Sequence, residues 1–173
     1  MTFRTVPLLC IVVLLLAACA SKPVPPPDWG YEKDALQMTL KADPRLNLDD
    51  GAPHTLVLCT YQLKDPITFN QLTEDMEGIS KLLGCGMFDA SVTTARRVTV
   101  QPGQDLSVML DRATGTKYVA VVAGYYTLHK ERMIRLYDIP VVVQETGLIR
   151  RTKSARPGPL TIHLNLGPLQ IEN

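Results

Sequence analysis

The sequence predicts a mainly β protein: a two-sheet β-sandwich carrying one helical insertion. Apolar residues alternate with polar ones, or run together with many Val, Thr and Tyr, in short segments from 37 to 166. Clusters of Pro, Gly, Asn and Asp separate these segments. A single stretch, 66–84, spaces its apolar residues as a helix does. The chain has 173 residues, 46% hydrophobic and 20% charged, which suits one globular domain and excludes wholesale disorder. Its net charge of +1 argues against nucleic acid as a partner.

The N-terminus reads as a signal. Met1 to Arg4 carries one positive charge, Val6 to Ala18 is apolar, and Cys19, Ala20 and Ser21 follow. This is the pattern of a secretory signal peptide over 1–18, and it is shorter than a membrane-spanning helix. The string Leu16-Ala17-Ala18-Cys19 resembles the lipobox of bacterial lipoproteins. That resemblance implies cleavage before Cys19 and acylation of its thiol, since only a thiol forms the thioether to diacylglycerol. Two or three acyl chains anchor stably where one is marginal. The alternative is a plain signal peptide in which Cys19 is incidental. Ala20, in place of Asp, resembles the signal for transfer to the outer membrane.

Residues 19–30 form a linker, with four prolines within 20–28 that keep it stiff and extended. The folded domain is expected over 31–173, with Trp29 and Tyr31 near its start. Gln37 to Ala42 alternates as a strand with one wet face, and Asp43 to His54 is a loop dense in Pro, Asp, Asn and Gly. Thr55 to Leu63 reads as a largely buried strand. In the helix of 66–84, Pro66 suits the first turn and Thr68 with Gln71 resembles a capping box. Phe69, Leu72, Met76, Ile79, Leu82 and Leu83 share its apolar face, and Gly84-Cys85-Gly86 stops it.

Strands return at Val98–Val100 and Leu106–Leu110, around a Pro102-Gly103 turn. Tyr118 to Tyr126 is nearly continuous in apolar residues, as in a sandwich core. Leu136 to Val143 reads as one strand whose Pro140 places it at an edge or bulge. Gly147-Leu148-Ile149 suggests another strand, Arg150 to Pro159 a basic loop, and Thr161 to Leu166 a last alternating strand. Seven or eight strands and one helix result.

The residues that carry chemistry point away from catalysis. There is no Gly-x-Ser-x-Gly, His-Glu-x-x-His, Cys-x-x-Cys or phosphate-binding glycine loop. His54, His129 and His163 sit in different contexts and read as solvated or interface residues. Asp49-Asp50 and Glu74-Asp75-Glu77 read as a solvated loop and a solvated helix face. No catalytic residue, metal site or cofactor is expected. Cys59 and Cys85 remain once Cys10 is removed and Cys19 acylated; an oxidising compartment permits them to pair, the alternative being two inert buried thiols. Charge is polarised: residues 19–95 carry a net −5 and residues 96–156 a net +6. The basic excess is densest at Arg150, Arg151, Lys153 and Arg156, a pattern that suits a partner, lipid headgroups or mutual attraction of sheet edges.

From Leu36 to Leu166 the chain resembles the type VI secretion lipoproteins, the TssJ or VasD-like family. The residues that carry this are Leu46 to Pro53 (LNLDDGAP), Val57 to Asp65 (VLCTYQLKD), Phe69, Leu82-Leu83, Pro102-Gly103 and Tyr118 to Tyr126, in that order behind the lipobox. The family's Trp soon after the last of these is replaced by Met133-Ile134. The resemblance implies a transthyretin-like β-sandwich with helical insertions, on an outer-membrane lipoprotein facing the periplasm. It implies as partner the periplasmic C-terminal domain of the inner-membrane protein TssM, with TssA and baseplate-side components further away. The family's contact loop, between the first two strands, corresponds to Asp43–His54, with Arg45, Leu46, Asn47 and Leu48 at its start.

The expectation is therefore a non-enzymatic docking protein, without small-molecule substrate, that holds a trans-envelope complex to the outer membrane. The alternative is a periplasmic lipoprotein that acts as an enzyme or as a glycan- or peptidoglycan-binding module. An apolar pocket with converging polar groups would favour the alternative.

Overall fold

The computed structural model describes residues 24–147 and 152–172. The signal peptide, Cys19, Leu148, Ile149, Arg150 and Arg151 lie outside the described residues.

Strand β1 (Glu32–Ala42) is the centre of the first sheet. It pairs antiparallel with β4 (Asp105–Arg112) and parallel with β9 (Leu160–Leu166), and β9 pairs with the short β10 (Ile171–Glu172). Alternation sets the faces. Leu36, Met38, Leu40, Leu110, Ile162, Leu164 and Leu166 are buried, while Gln37, Lys41, Met109, Thr161 and His163 are exposed. β1 begins five residues earlier than its alternation suggests. Asp34, at φ 53°, breaks the register between Glu32 and Leu36, and that irregularity hides the strand's first turns from a period-two reading.

The second sheet is β3 (Val92–Val100), β2 (Leu56–Leu63), β5 (Tyr118–Ala123) and β6 (Ile134–Asp138), in that order and antiparallel throughout. β2 is buried on both faces. Leu56, Leu58, Thr60 and Gln62 look toward the first sheet; Val57, Cys59, Tyr61 and Leu63 look toward the helices. This is why Thr55–Leu63 lacks alternation.

The single helix expected over 66–84 is two helices, α1 (Ile67–Leu72) and α2 (Met76–Leu83). The chain turns at Thr73, whose hydroxyl donates back to the Asn70 carbonyl (2.7 Å). Asp75 then caps α2, accepting from the Gly78 amide (2.7 Å). Gly78 lies so close to the Leu72 backbone that a β-carbon there would collide with it. The Thr68–Gln71 capping box does not form: Pro66 occupies the cap of α1 without a side-chain bond. A third helix, α3 (Lys130–Met133), precedes β6, and Lys130 reaches Glu74 (2.6 Å).

Two further expectations are corrected at the C-terminal half. Leu136–Val143 is not one strand but the end of β6 and the start of β7 (Val141–Thr146), divided at Ile139-Pro140. Proline has no amide to donate, so the ladder stops there. Within the expected basic loop, Thr152–Pro157 is strand β8, paired with β7 as a separate two-stranded ribbon.

Cys59 and Cys85 form a disulfide across 26 residues, joining β2 to the end of α2. On a chain-entropy account, closing such a loop stabilises by about 3 kcal/mol. Beside it the Tyr61 hydroxyl donates to the Leu82 carbonyl, and Tyr61, Phe69 and Phe88 pack ring on ring. The disulfide, Tyr61 and the Phe69–Phe88 cluster fix the helices on the second sheet.

Burial pushes the Tyr61 phenol up to about 12, whereas an unfolded tyrosine ionises near about 10. The neutral form is the one the fold accepts, so its contribution is complete below the unfolded pKa and is lost as pH rises through the folded one. Burial raises Tyr125 in the same direction. Urea midpoints measured across the alkaline range should fall between about pH 10 and 12. The Tyr61→Phe variant, though less stable at neutral pH, should show a shallower fall.

Candidate functional site

The registers put the two ends of the domain to different uses. Where β1 starts, β4 ends and β9 begins: Glu32 faces Arg112, and Leu36 faces Leu160. Where β1 ends, Lys41 faces Asp105 and Ala42 faces Leu166. The linker thus joins the domain at one pole, and the loop of 43–54 leaves β1 at the other. Eleven residues of strand separate them, about 36 Å.

At the linker pole the chain is clasped to β4. Arg112, 3% exposed, pairs with Glu32 (3.0 Å) and donates to the Gly30 carbonyl (3.1 Å). The Tyr31 hydroxyl donates to Asp111 (2.6 Å) and the Asp34 amide to the same carboxylate (3.0 Å). The Tyr31 hydrogen bond, then the Asp34 amide, hold the Asp111 carboxyl below its ordinary value; the same bond raises the Tyr31 phenol. The Gly115 amide donates to the Trp29 carbonyl (2.7 Å). Trp29 and Tyr31 are therefore bound to the fold.

The loop at the far pole is tightly ordered. The Arg45 amide donates to Asp43 Oδ1 (2.7 Å), the Leu46 amide to the Asp43 carbonyl (2.9 Å) and the His54 amide to the Leu46 carbonyl (2.9 Å). Asp49 and Ala52 exchange both backbone bonds (3.0 and 2.9 Å) around Asp50-Gly51. Both turn residues have positive φ, 47° and 78°, as a tight two-residue hairpin turn demands. The Leu48 amide donates to the Pro168 carbonyl (2.8 Å), tying the loop to the chain beyond β9.

The four residues singled out at the start of this loop divide. Arg45 is exposed and Leu48 half-buried, both available to a partner. Leu46 is fully buried in the core and Asn47 is 3% exposed. Both were expected at an exposed contact, and both are turned into the fold instead. Leu46-Asn47-Leu48 reads as surface because it lies in a segment dense in Pro, Asp, Asn and Gly, yet the loop folds back and sends Leu46 inward. Asn47, at φ 49°, donates through Nδ2 to the Thr55 carbonyl (3.0 Å) and accepts the Tyr126 amide at Oδ1 (2.9 Å). It joins the loop to the end of β5.

One exposed residue beside the loop, Tyr126, escapes a reading by segments. His54 packs edge-on against Tyr126 at 5.0 Å, and Tyr126 is 58% exposed. The only signal was a tyrosine pair closing the apolar run of β5; Tyr125 is buried and Tyr126 is not. The exposed surface at this pole includes Arg45, Asp49, Asp50 and Tyr126, with Leu48 and His54 half-buried among them. Among the described residues, no three His, Cys, Asp or Glu side chains assemble to hold a metal ion, and no helix is long and apolar enough to cross a membrane. The three histidines lie on different elements.

These features define the class: a two-sheet β-sandwich with helices over one sheet and an ordered loop at the pole opposite its linker. The chain belongs to the family of type VI secretion lipoproteins described by the names VasD, EvfM and TssJ, whose profile matches residues 34–165. No curated protein matches it by sequence. Solved structures share the fold. The T6SS lipoprotein TssJ1 from Pseudomonas aeruginosa is 22% identical with a TM-score of 0.54, covering 85% of this chain and 95% of its own. Serratia marcescens Lip, a membrane bound component of the Type VI Secretion System, is 15% identical with a TM-score of 0.55, covering 79% and 94%. A chain from the structure of the T6SS protein TssM C-terminal domain from EAEC is 16% identical with a TM-score of 0.57, covering 79% and 94%.

Asn47 provides a direct test of the loop's rigidity. Asn47→Ala should cost roughly 1–2 kcal/mol in urea unfolding, because it removes two part-buried hydrogen bonds to backbone at a left-handed position. Asn47→Gly keeps the backbone conformation and should cost less. In both, hydrogen exchange at the Tyr126 amide should accelerate.

Proposed function

We propose that this protein is a non-enzymatic docking lipoprotein. Cys19 is acylated and holds the chain in the outer membrane, facing the periplasm. The loop of 43–54 binds the periplasmic C-terminal domain of the inner-membrane protein TssM, and so ties the trans-envelope complex of a type VI secretion system to the outer membrane. The family supports the setting. The observation that carries the docking reading is the geometry of β1, which sets linker and loop at opposite poles. A membrane-tethered domain so built presents its loop away from the membrane.

Arg45, Leu48 and Tyr126 supply the contact: a long cation, an aliphatic group and an aromatic ring, the mixture that dominates protein interfaces. Leu46 and Asn47 supply its shape. A preformed loop binds without first losing its own conformational freedom. The acidic turn Asp49-Asp50-Gly51 sits at the rim, where charge steers encounter more than it adds affinity.

The test pairs one variant at each pole. Arg45→Ala with Leu48→Ala should leave the fold intact and weaken calorimetric binding to the TssM periplasmic domain by roughly 2 kcal/mol if a hot spot is removed. Cys19→Ser should leave that binding unchanged but keep the protein out of the outer-membrane fraction, because a hydroxyl forms no thioether. Wild-type affinity in the folded double variant would place the contact elsewhere. Outer-membrane fractionation of the serine variant would refute the anchor.

A further inference from the structure

The β7–β8 ribbon joins neither sheet of the sandwich, and only its base at Pro157 is buried. Its two strands pair only with each other, and every residue of β7 is exposed. Val141, Val142 and Val143 are 46%, 40% and 52% exposed. Such a run of apolar residues on an isolated two-stranded ribbon is costly in water and calls for a covering surface. The register places Val141 across from Pro157, Val143 from Ala155 and Glu145 from Lys153 on one face; Val142 and Arg156 share the other. Lys153 and Glu145 pair at 3.1 Å.

The ribbon's position says what covers it. β6 ends and β9 begins at the linker pole, so the ribbon leaves the domain there. Arg156 and Pro157 line the same open cleft as Asp28, Gly30, Tyr31 and Glu32, the residues that receive the linker. At the polyproline rise nine residues such as 20–28 would reach about 28 Å, and the six residues of β7 extend about 20 Å. Linker and ribbon therefore address the same side of the domain, and the linker is long enough to let the ribbon lie on whatever surface holds its far end.

We propose that the β7–β8 ribbon is a second, non-covalent membrane contact. Its valine run settles into the headgroup layer while Lys153 and Arg156 meet anionic phospholipid headgroups of the membrane that holds Cys19. This rests on the anchored reading above. Long basic side chains lay their stems along apolar surface and keep the charge at the phosphate level, and anionic lipid attracts them within a Debye length. The acyl anchor keeps the ribbon at high local concentration, so a weak contact is populated. With two points of attachment the domain loses its swing, and the loop of 43–54 is aimed away from the membrane.

The test uses the full acylated chain with Val142→Cys carrying an environment-sensitive fluorophore, its native disulfide intact. Vesicles are phosphatidylethanolamine with phosphatidylglycerol, and Asp50→Cys is the control at the opposite pole. The Val142 label should be quenched by brominated lipid and give an iodide quenching constant several-fold below that of the Asp50 label. Lys153→Gln with Arg156→Gln, or vesicles of phosphatidylcholine alone, should abolish that difference while the protein still pellets with the vesicles. Pelleting with equal iodide access at both labels overturns the ribbon contact and leaves the anchor standing. Failure to pellet overturns both. Shielding that arises only on adding a partner's periplasmic domain assigns the ribbon to protein binding and overturns the lipid contact.

Discussion

Strand β1 is hydrogen-bonded along both edges, to β4 on one side and to β9 on the other, from Leu36 to its end. The chain enters the fold at its first residues and leaves for the ordered loop at its last. A pull applied to the linker is met first by Arg112, Asp111 and the Trp29 carbonyl, then by two ladders that must shear together. Breaking bonds in concert costs more than peeling them singly, so the linker is fastened to the strongest part of the first sheet. The positions of three segments follow from this strand: linker and ribbon at its start, loop at its end.

The second sheet gives β1 a rigid floor. β2 is packed on both faces, by the first sheet and by the helices, and the Cys59–Cys85 disulfide closes the helical layer over it. Two buried amide side chains then fix the poles. At the linker pole Gln62 donates to the Asp111 carbonyl (2.8 Å) and accepts the Ala113 amide (2.9 Å) and the Thr116 hydroxyl (3.1 Å). At the loop pole Asn47 does the same for Thr55 and Tyr126. Each satisfies backbone groups that a crossover between sheets leaves unpaired, and buried polar groups so satisfied specify one geometry.

The strands were legible because their burial is periodic or complete. Ile162, Leu164 and Leu166 alternate with Thr161, His163 and Asn165 in the sequence as in the fold, and the continuous run of β5 is buried as such runs are. The helical insertion was legible as helical spacing, but spacing does not register a turn: Phe69 and Ile79 stay in phase across the break at Thr73–Asp75. Pro140 carried its signal, yet its effect was to end a strand. The loop was legible as long and polar, and its turn at Asp50-Gly51 follows from residue type. The inward direction of Leu46 and the two bonds of Asn47 depend on Thr55 and Tyr126, and Tyr126 lies 79 residues away. Partners brought together by tertiary structure leave no local trace.

In the proposed docking mode the pole opposite the linker meets the partner. Site-specific photo-crosslinking in intact cells tests it most directly, with the photoreactive residue at position 45 in one strain and at position 109 in another. Met109 is 55% exposed on the outer face of the first sheet, midway between the poles. Docking through the loop yields an adduct with the periplasmic domain of the inner-membrane partner from position 45 and none from position 109. Adducts from position 109 alone would contradict it.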